Sequence, residues 1–202
     1  MFVLAACGGS RAPKQVMGLE GAIARAKADS VRYPYTKADI SFMSGMISHH
    51  AQAIVMAKWA PSHAASPAVI RLTERIINAQ GDEINLMSNW LQERHQPVPE
   101  ANPKGMKMMM GGAEHVMAMP GMLTDAQMAE LDAAKGPDFD RQFLIFMIQH
   151  HRGAIAMVKE LFSNRGAGQD ETVFKFANDV AVDQETEINR MAQMLLGSGD
   201  AR

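Results

Sequence analysis

The sequence predicts an all-α chain: a four-helix bundle made of two repeated helical hairpins, joined by a methionine-rich loop. Three observations predict it. Strand signals are missing, with no alternating Val/Ile/Thr runs and no Asn-Gly hairpin turns. Prolines and capping residues cut the chain into four long helical segments. Those segments also repeat. Asp39, Phe42, Met46, Ile47, His49, His50, Ala53, Ile54 and Met56 match Asp140, Phe143, Met147, Ile148, His150, His151, Ala154, Ile155 and Met157. Gln80, Glu83, Ile84, Asn85, Met87 and Leu91 match Gln184, Glu187, Ile188, Asn189, Met191 and Leu195. The repeating unit is a hairpin that cannot bury its apolar stripe alone, so two must pack about a pseudo-twofold axis.

In chain order, residues 1–17 read as a truncated lipoprotein signal and linker, and 18–35 as a short helix ended by Tyr33-Pro34-Tyr35. Residues 36–196 form the bundle domain. Thr36 with Asp39 reads as a capping box for a helix to about Ala60, stopped by Pro61. Ser66-Pro67 caps the next helix, which runs to about His95 and completes hairpin 36–95. Residues 96–123 lack apolar periodicity and read as loop. In 124–196, Thr124 with Gln127 opens a short helix, and Gly136-Pro137 breaks it. Asp138 is expected to cap a helix to about Phe162, and the last helix runs from about Asp170 to Leu196. Residues 197–202 are a tail.

Composition narrows the function. A net charge of −2 with mixed signs points away from nucleic acid. The one cysteine, Cys7, excludes an intrachain disulfide or a thiolate zinc site. It lies in Leu4-Ala5-Ala6-Cys7-Gly8-Gly9-Ser10, which resembles a lipobox and would make Cys7 a lipid anchor on the extracytoplasmic side. No run approaches the ~20 apolar residues of a membrane-spanning helix.

The chemistry lies in Met46-Ile47-Ser48-His49-His50 and Met147-Ile148-Gln149-His150-His151. Positions i, i+3 and i+4 share a helix face, so each copy presents a thioether and two imidazoles together, with Met43 one turn earlier. That stripe points inward, and buried imidazoles need partners; Glu83 and Glu187 are the evident ones. The expected core site is two His pairs, methionines and two carboxylates. A purely structural role for a duplicated His pair is the alternative. Glu-x-x-His is absent, so sulfur or a second imidazole stands where a di-iron site has a carboxylate, which favours copper over iron or zinc. A second set lies in the loop: Met106, Met108, Met109, Met110, His115, Met117, Met119 and Met122. Thioethers beside glycines suit Cu(I); an adaptable hydrophobic flap or partner surface is the alternative.

These residues resemble the "domain of unknown function 305" family. The resemblance rests on Phe42-Met43 through Met56-Ala57, on Met119-Pro120-Gly121-Met122, on Phe139 through Met157, and on the Gln-x-x-Glu-Ile-x-x-Met of each second helix. It covers about residues 36–196, with Leu144 standing where the first repeat has Met43. The resemblance implies a ferritin-like bundle exported from the bacterial cytoplasm; some members are periplasmic copper-binding proteins with a role in copper resistance. The expectation is a copper-binding protein that sequesters Cu(I) or Cu(II) or exchanges it with a delivery or export partner, with a homo-oligomer as one possible assembly. No nucleophile arrangement appears. A ferritin-like metal-dependent oxidase and an envelope lipoprotein acting as an interaction module are the rivals.

Overall fold

A computed structural model describes residues 18–197; the lipobox and Cys7 lie outside the described residues. Helix α1 spans Gly18–Arg32, α2 Lys37–Lys58, α3 Pro67–Glu93, α4 Asp125–Ala133, α5 Gly136–Ser163 and α6 Glu171–Gly197. A 3-10 turn, Ala60–His63, links α2 to α3. Two strands, β1 Met106–Met110 and β2 Ala113–Met117, form an antiparallel pair.

Local chemistry starts most of these helices. Thr36 Oγ1 accepts from the Ala38 and Asp39 amides while Asp39 Oδ2 accepts from the Thr36 amide at 2.6 Å. This is the expected capping box. Thr124 and Gln127 repeat it at α4, and the Ser66 hydroxyl caps α3 ahead of Pro67. The Asp170 carboxylate accepts from the Thr172 and Val173 amides at the start of α6. One start differs from expectation. The α5 helix begins at Gly136, with Pro137 inside its first turn and no side-chain cap from Asp138. Proline lacks only an N–H that has no partner at that position, so it opens the helix rather than breaking the chain there.

Helix α2 packs on α3, α5 packs on α6, and α2 meets α5 between the two pairs. Two apolar clusters fix the directions. One joins Ala53, Met56 and Ala57 of α2 to Val69, Leu72 and Ile76 of α3, Phe139 and Phe143 of α5, and Ile188 and Met191 of α6. The other joins Phe42 and Met46 to Met87 and Trp90, Met157 and Leu161, and Val173 and Phe176. The N-terminal half of α2 thus faces the C-terminal halves of α3 and α5, so neighbours run antiparallel. The histidine pairs fall between the clusters, as a polar layer across the core.

The hairpins also hold each other end to end. Asp39 Oδ1 accepts from the Gly168 amide, in the loop joining α5 to α6, at 2.7 Å. Asp140, its counterpart in the repeat, accepts from the Ser66 amide, in the link between α2 and α3, at 3.1 and 3.2 Å. Each aspartate at a hairpin's start ties down the other hairpin's turn.

The methionine segment is not the structureless loop expected. Met106 pairs with Met117 and Met110 with Ala113, around Gly111-Gly112, whose φ values are 60° and 86°. Two successive left-handed residues match the turn that suits strand twist, and glycine takes that conformation without steric cost. Among the described residues no helix is long and apolar enough to cross a membrane.

Candidate metal centre

Four imidazoles meet in the middle of the core. His49, His50, His150 and His151 are fully buried. The His49 and His150 rings lie 3.8 Å apart by centroid, across the α2–α5 contact. Within each pair the rings are 6.3 Å apart at 57°, the same in both copies, so the repeat in sequence is a repeat in space.

Partners follow the same symmetry for the outer imidazoles. His50 Nε2 lies 2.6 Å from Glu83 Oε2, and His151 Nε2 lies 2.6 Å from Glu187 Oε2. These are the two carboxylates expected. Symmetry ends at the inner pair. His49 Nε2 contacts the Pro120 carbonyl oxygen at 3.0 Å, whereas His150 has no well-formed hydrogen bond on either nitrogen, only a weaker contact with the His49 backbone. The Nδ1 atoms of His49, His50 and His151 are also buried without partners. Burial holds His49 at a pKa of about 3, helped by the adjacent His50; the Pro120 contact works the other way. Burial, then His49, His151 and His50, push His150 well below the usual imidazole range, against a contact with the His49 backbone that works the other way. Both inner rings are neutral and therefore carry lone pairs.

The core methionines lie on both sides of this layer. Met43 and Met46 are fully buried in one apolar cluster, and Met147 is fully buried in the other. Among the described residues, no three His, Cys, Asp or Glu side chains are gathered as a ready-made metal cage.

The segment carrying Pro120 is strapped down. Gln52 accepts from the Leu123 amide at 2.6 Å and donates to the Leu123 and Pro103 carbonyls, each at 3.0 Å. Gln149 donates to the Gly121 carbonyl at 3.3 Å. Gly121, at φ 76°, rests on Gly153 so closely that a Cβ on either would collide with the other's backbone. None of these clamps was apparent from spacing.

Beside the strap lies a cleft of about 370 Å³, lined by Met106, Met108, Met117 and Met119 and by Met157 of α5. Strand alternation accounts for the selection. Met106 and Met108 are half-buried, while Lys107 and Met109 face out, Met109 at 70% exposure. Gly45 of α2 leaves room for the Met119 thioether, whose sulfur would stand 2.9 Å from a Cβ there. Met122 is buried, and its sulfur accepts from the Met119 amide at 3.2 Å. His115 is exposed opposite Met108. For Met110 only the backbone pairing with Ala113 is described. Met157 was not expected at the cleft, although the repeat already paired it with Met56.

The imidazole layer sits on helices duplicated within one chain, and the thioether cleft sits beside it on the hairpin and strap between the two copies. The model of the family called Domain of unknown function (DUF305) matches residues 39–195, and the chain belongs to that family. A DUF305 protein from Streptomyces coelicolor, described as a "putative secreted protein", is 30% identical, with a TM-score of 0.67 over 80% of this chain and 94% of that one. CopM in its Cu(I)-bound form is 30% identical, with a TM-score of 0.60 over 79% of this chain and 96% of CopM. The Cu(II)-bound form gives 32% identity and the same TM-score and coverage. A protein of Acanthamoeba polyphaga mimivirus is 41% identical over 56 residues, which are 28% of this chain and 37% of that protein's length.

Proposed function

We propose that this protein is an extracytoplasmic copper-binding protein that sequesters copper or hands it on. We also propose that residues 36–196 form a single ferritin-like four-helix bundle of two repeated hairpins. The observation that carries the copper reading is the set of unpartnered imidazole nitrogens in the core. A buried polar atom without a partner costs about 1–3 kcal/mol, and a whole layer of such nitrogens suits a metal-ligand set. Thioether and neutral imidazole together suit copper better than iron or zinc. The ligands in this reading are His49, His50, His150 and His151, with Met43, Met46 and Met147 beside them. Glu83 and Glu187 engage Nε2 of the outer imidazoles, which fixes the tautomer and leaves Nδ1 as the donor atom. Met106, Met108, Met117, Met119 and Met157 form a separate all-sulfur site for Cu(I). Likeness to CopM, seen with both Cu(I) and Cu(II), supports the assignment, and the Streptomyces relative described as a "putative secreted protein" supports the location. Anchoring through Cys7 is part of the same proposal. The paired Glu–His contacts favour one further reading, a metal-dependent oxidase, which would consume dioxygen with Fe(II) bound.

An anaerobic Cu(I) titration against a chromophoric chelator tests the proposal. H49A/H150A should remove the core component, and M106L/M108L/M117L should remove the cleft component while leaving helicity intact, because Met-to-Leu exchange conserves volume. Unchanged Cu(I) affinity and stoichiometry in both variants would sink it.

A further inference from the structure

The other face of the Glu–His pairs opens on a second cavity. A cleft of about 400 Å³ lies between α3 and α6, lined in part by Glu83, Asp183, Glu187, Gln80, Gln184 and Arg75. Three carboxylates face one cation there. Glu83 and Glu187 each spend Oε2 on an imidazole and stay partly exposed, at 21% and 17%. The amides are the telling feature. Gln80 is 2% exposed, and neither its Oε1 nor its Nε2 has a partner. Gln184, its counterpart in the repeat, is 4% exposed, and its Oε1 has none. A long amide side chain does not remain buried and unpaired without a compensating ligand or water. Two amide carbonyls beside three carboxylates are hard oxygen donors, the opposite of the sulfur cleft.

We propose that the α3–α6 cleft is a binding site for a hydrated divalent cation. Its donors are the carboxylates of Glu83, Asp183 and Glu187 and the side-chain carbonyls of Gln80 and Gln184. The three carboxylates do not converge closely enough to cage a bare ion. The cation therefore keeps part of its water shell, and the cleft has the volume for it. Partial burial, with the like charge that Glu83, Asp179 and Glu187 set around it, raises the pKa of Asp183. This inference uses the Glu–His pairing but does not depend on copper.

Mn(II) is the probe, titrated into full-length metal-free protein at physiological salt and followed by its electron paramagnetic resonance signal. The expected result is one bound Mn(II) per chain. D183N and Q80M/Q184M should each weaken binding at least tenfold, with helicity and Cu(I) uptake unchanged. D183N alters an exposed side chain, so loss of folding does not confound it. Absence of Mn(II) binding at millimolar metal would overturn the site. So would binding lost in H50Q/H151Q but unchanged in D183N, which would place Mn(II) in the imidazole layer. Failure of Cu(I) uptake with Mn(II) binding intact would remove the copper reading and leave this one standing.

Discussion

Acidification should destabilise the metal-free protein well before ordinary carboxylates titrate. His49 is neutral in the folded core down to a pKa of about 3, against 6.5 when unfolded, and His150 is shifted the same way. Between those values the unfolded chain binds protons that the folded chain cannot. Stability is therefore full above the unfolded pKa and falls as pH drops below it. Each such histidine contributes a slope of about 1.4 kcal/mol per pH unit. At about pH 5 His49 has cost roughly 2 kcal/mol of a total of about 5–15 kcal/mol, and His150 adds to the loss in the same direction. Urea unfolding followed by circular dichroism, at several pH values between about 7.5 and 5, measures this directly. H49Q keeps an amide donor for the Pro120 carbonyl and cannot titrate, so it should lower the slope. Asp183, whose pKa is raised, acts in the opposite sense, favouring the fold as pH falls. Stability flat from about pH 7 to 5, or an H49Q slope equal to wild type, would refute a neutral buried imidazole pair.

Two other outcomes follow from contacts away from the metal centre. Asp170 accepts from Arg94 at 2.7 Å and from the Trp90 indole at 3.0 Å, with both ionic partners buried. D170A leaves a buried guanidinium without its carboxylate and should cost about 3–5 kcal/mol in chemical denaturation. D140A removes a carboxylate that accepts from the Ser66 amide and should cost about 1.5–3 kcal/mol, with Cu(I) stoichiometry retained once the protein is folded.

What the sequence disclosed depended on how local the cause was. Capping boxes at Thr36 and Thr124 span three residues, so they could be read directly. The imidazole layer was legible for a different reason: the repeat fixed which residues were equivalent, and helical spacing fixed their face. The Glu83 and Glu187 partners followed from the same alignment. The clasps at Asp39 and Asp140 were in that alignment too, but their acceptor role depends on where distant loops arrive, which no periodicity encodes. Gln52, Gln149 and Gly153 were hidden for the same reason. The β-hairpin was missed because methionine is a weak strand signal, although Gly111-Gly112 was a legitimate turn cue. Asp138 failed as a cap because Pro137 already suited the first turn of the helix.

The reciprocal clasps bear on how the molecule comes apart. Asp39 secures a turn 129 residues away, and Asp140 one 74 residues away. Neither half can loosen its own start without freeing the bend of the other. Unfolding should therefore be a single cooperative event, with no populated species in which one hairpin stands alone. The inner imidazoles, one from each half, would separate at that same event. Any ion they share would be held or released as a whole, so retention would track the integrity of the entire chain and not the fraying of one helix.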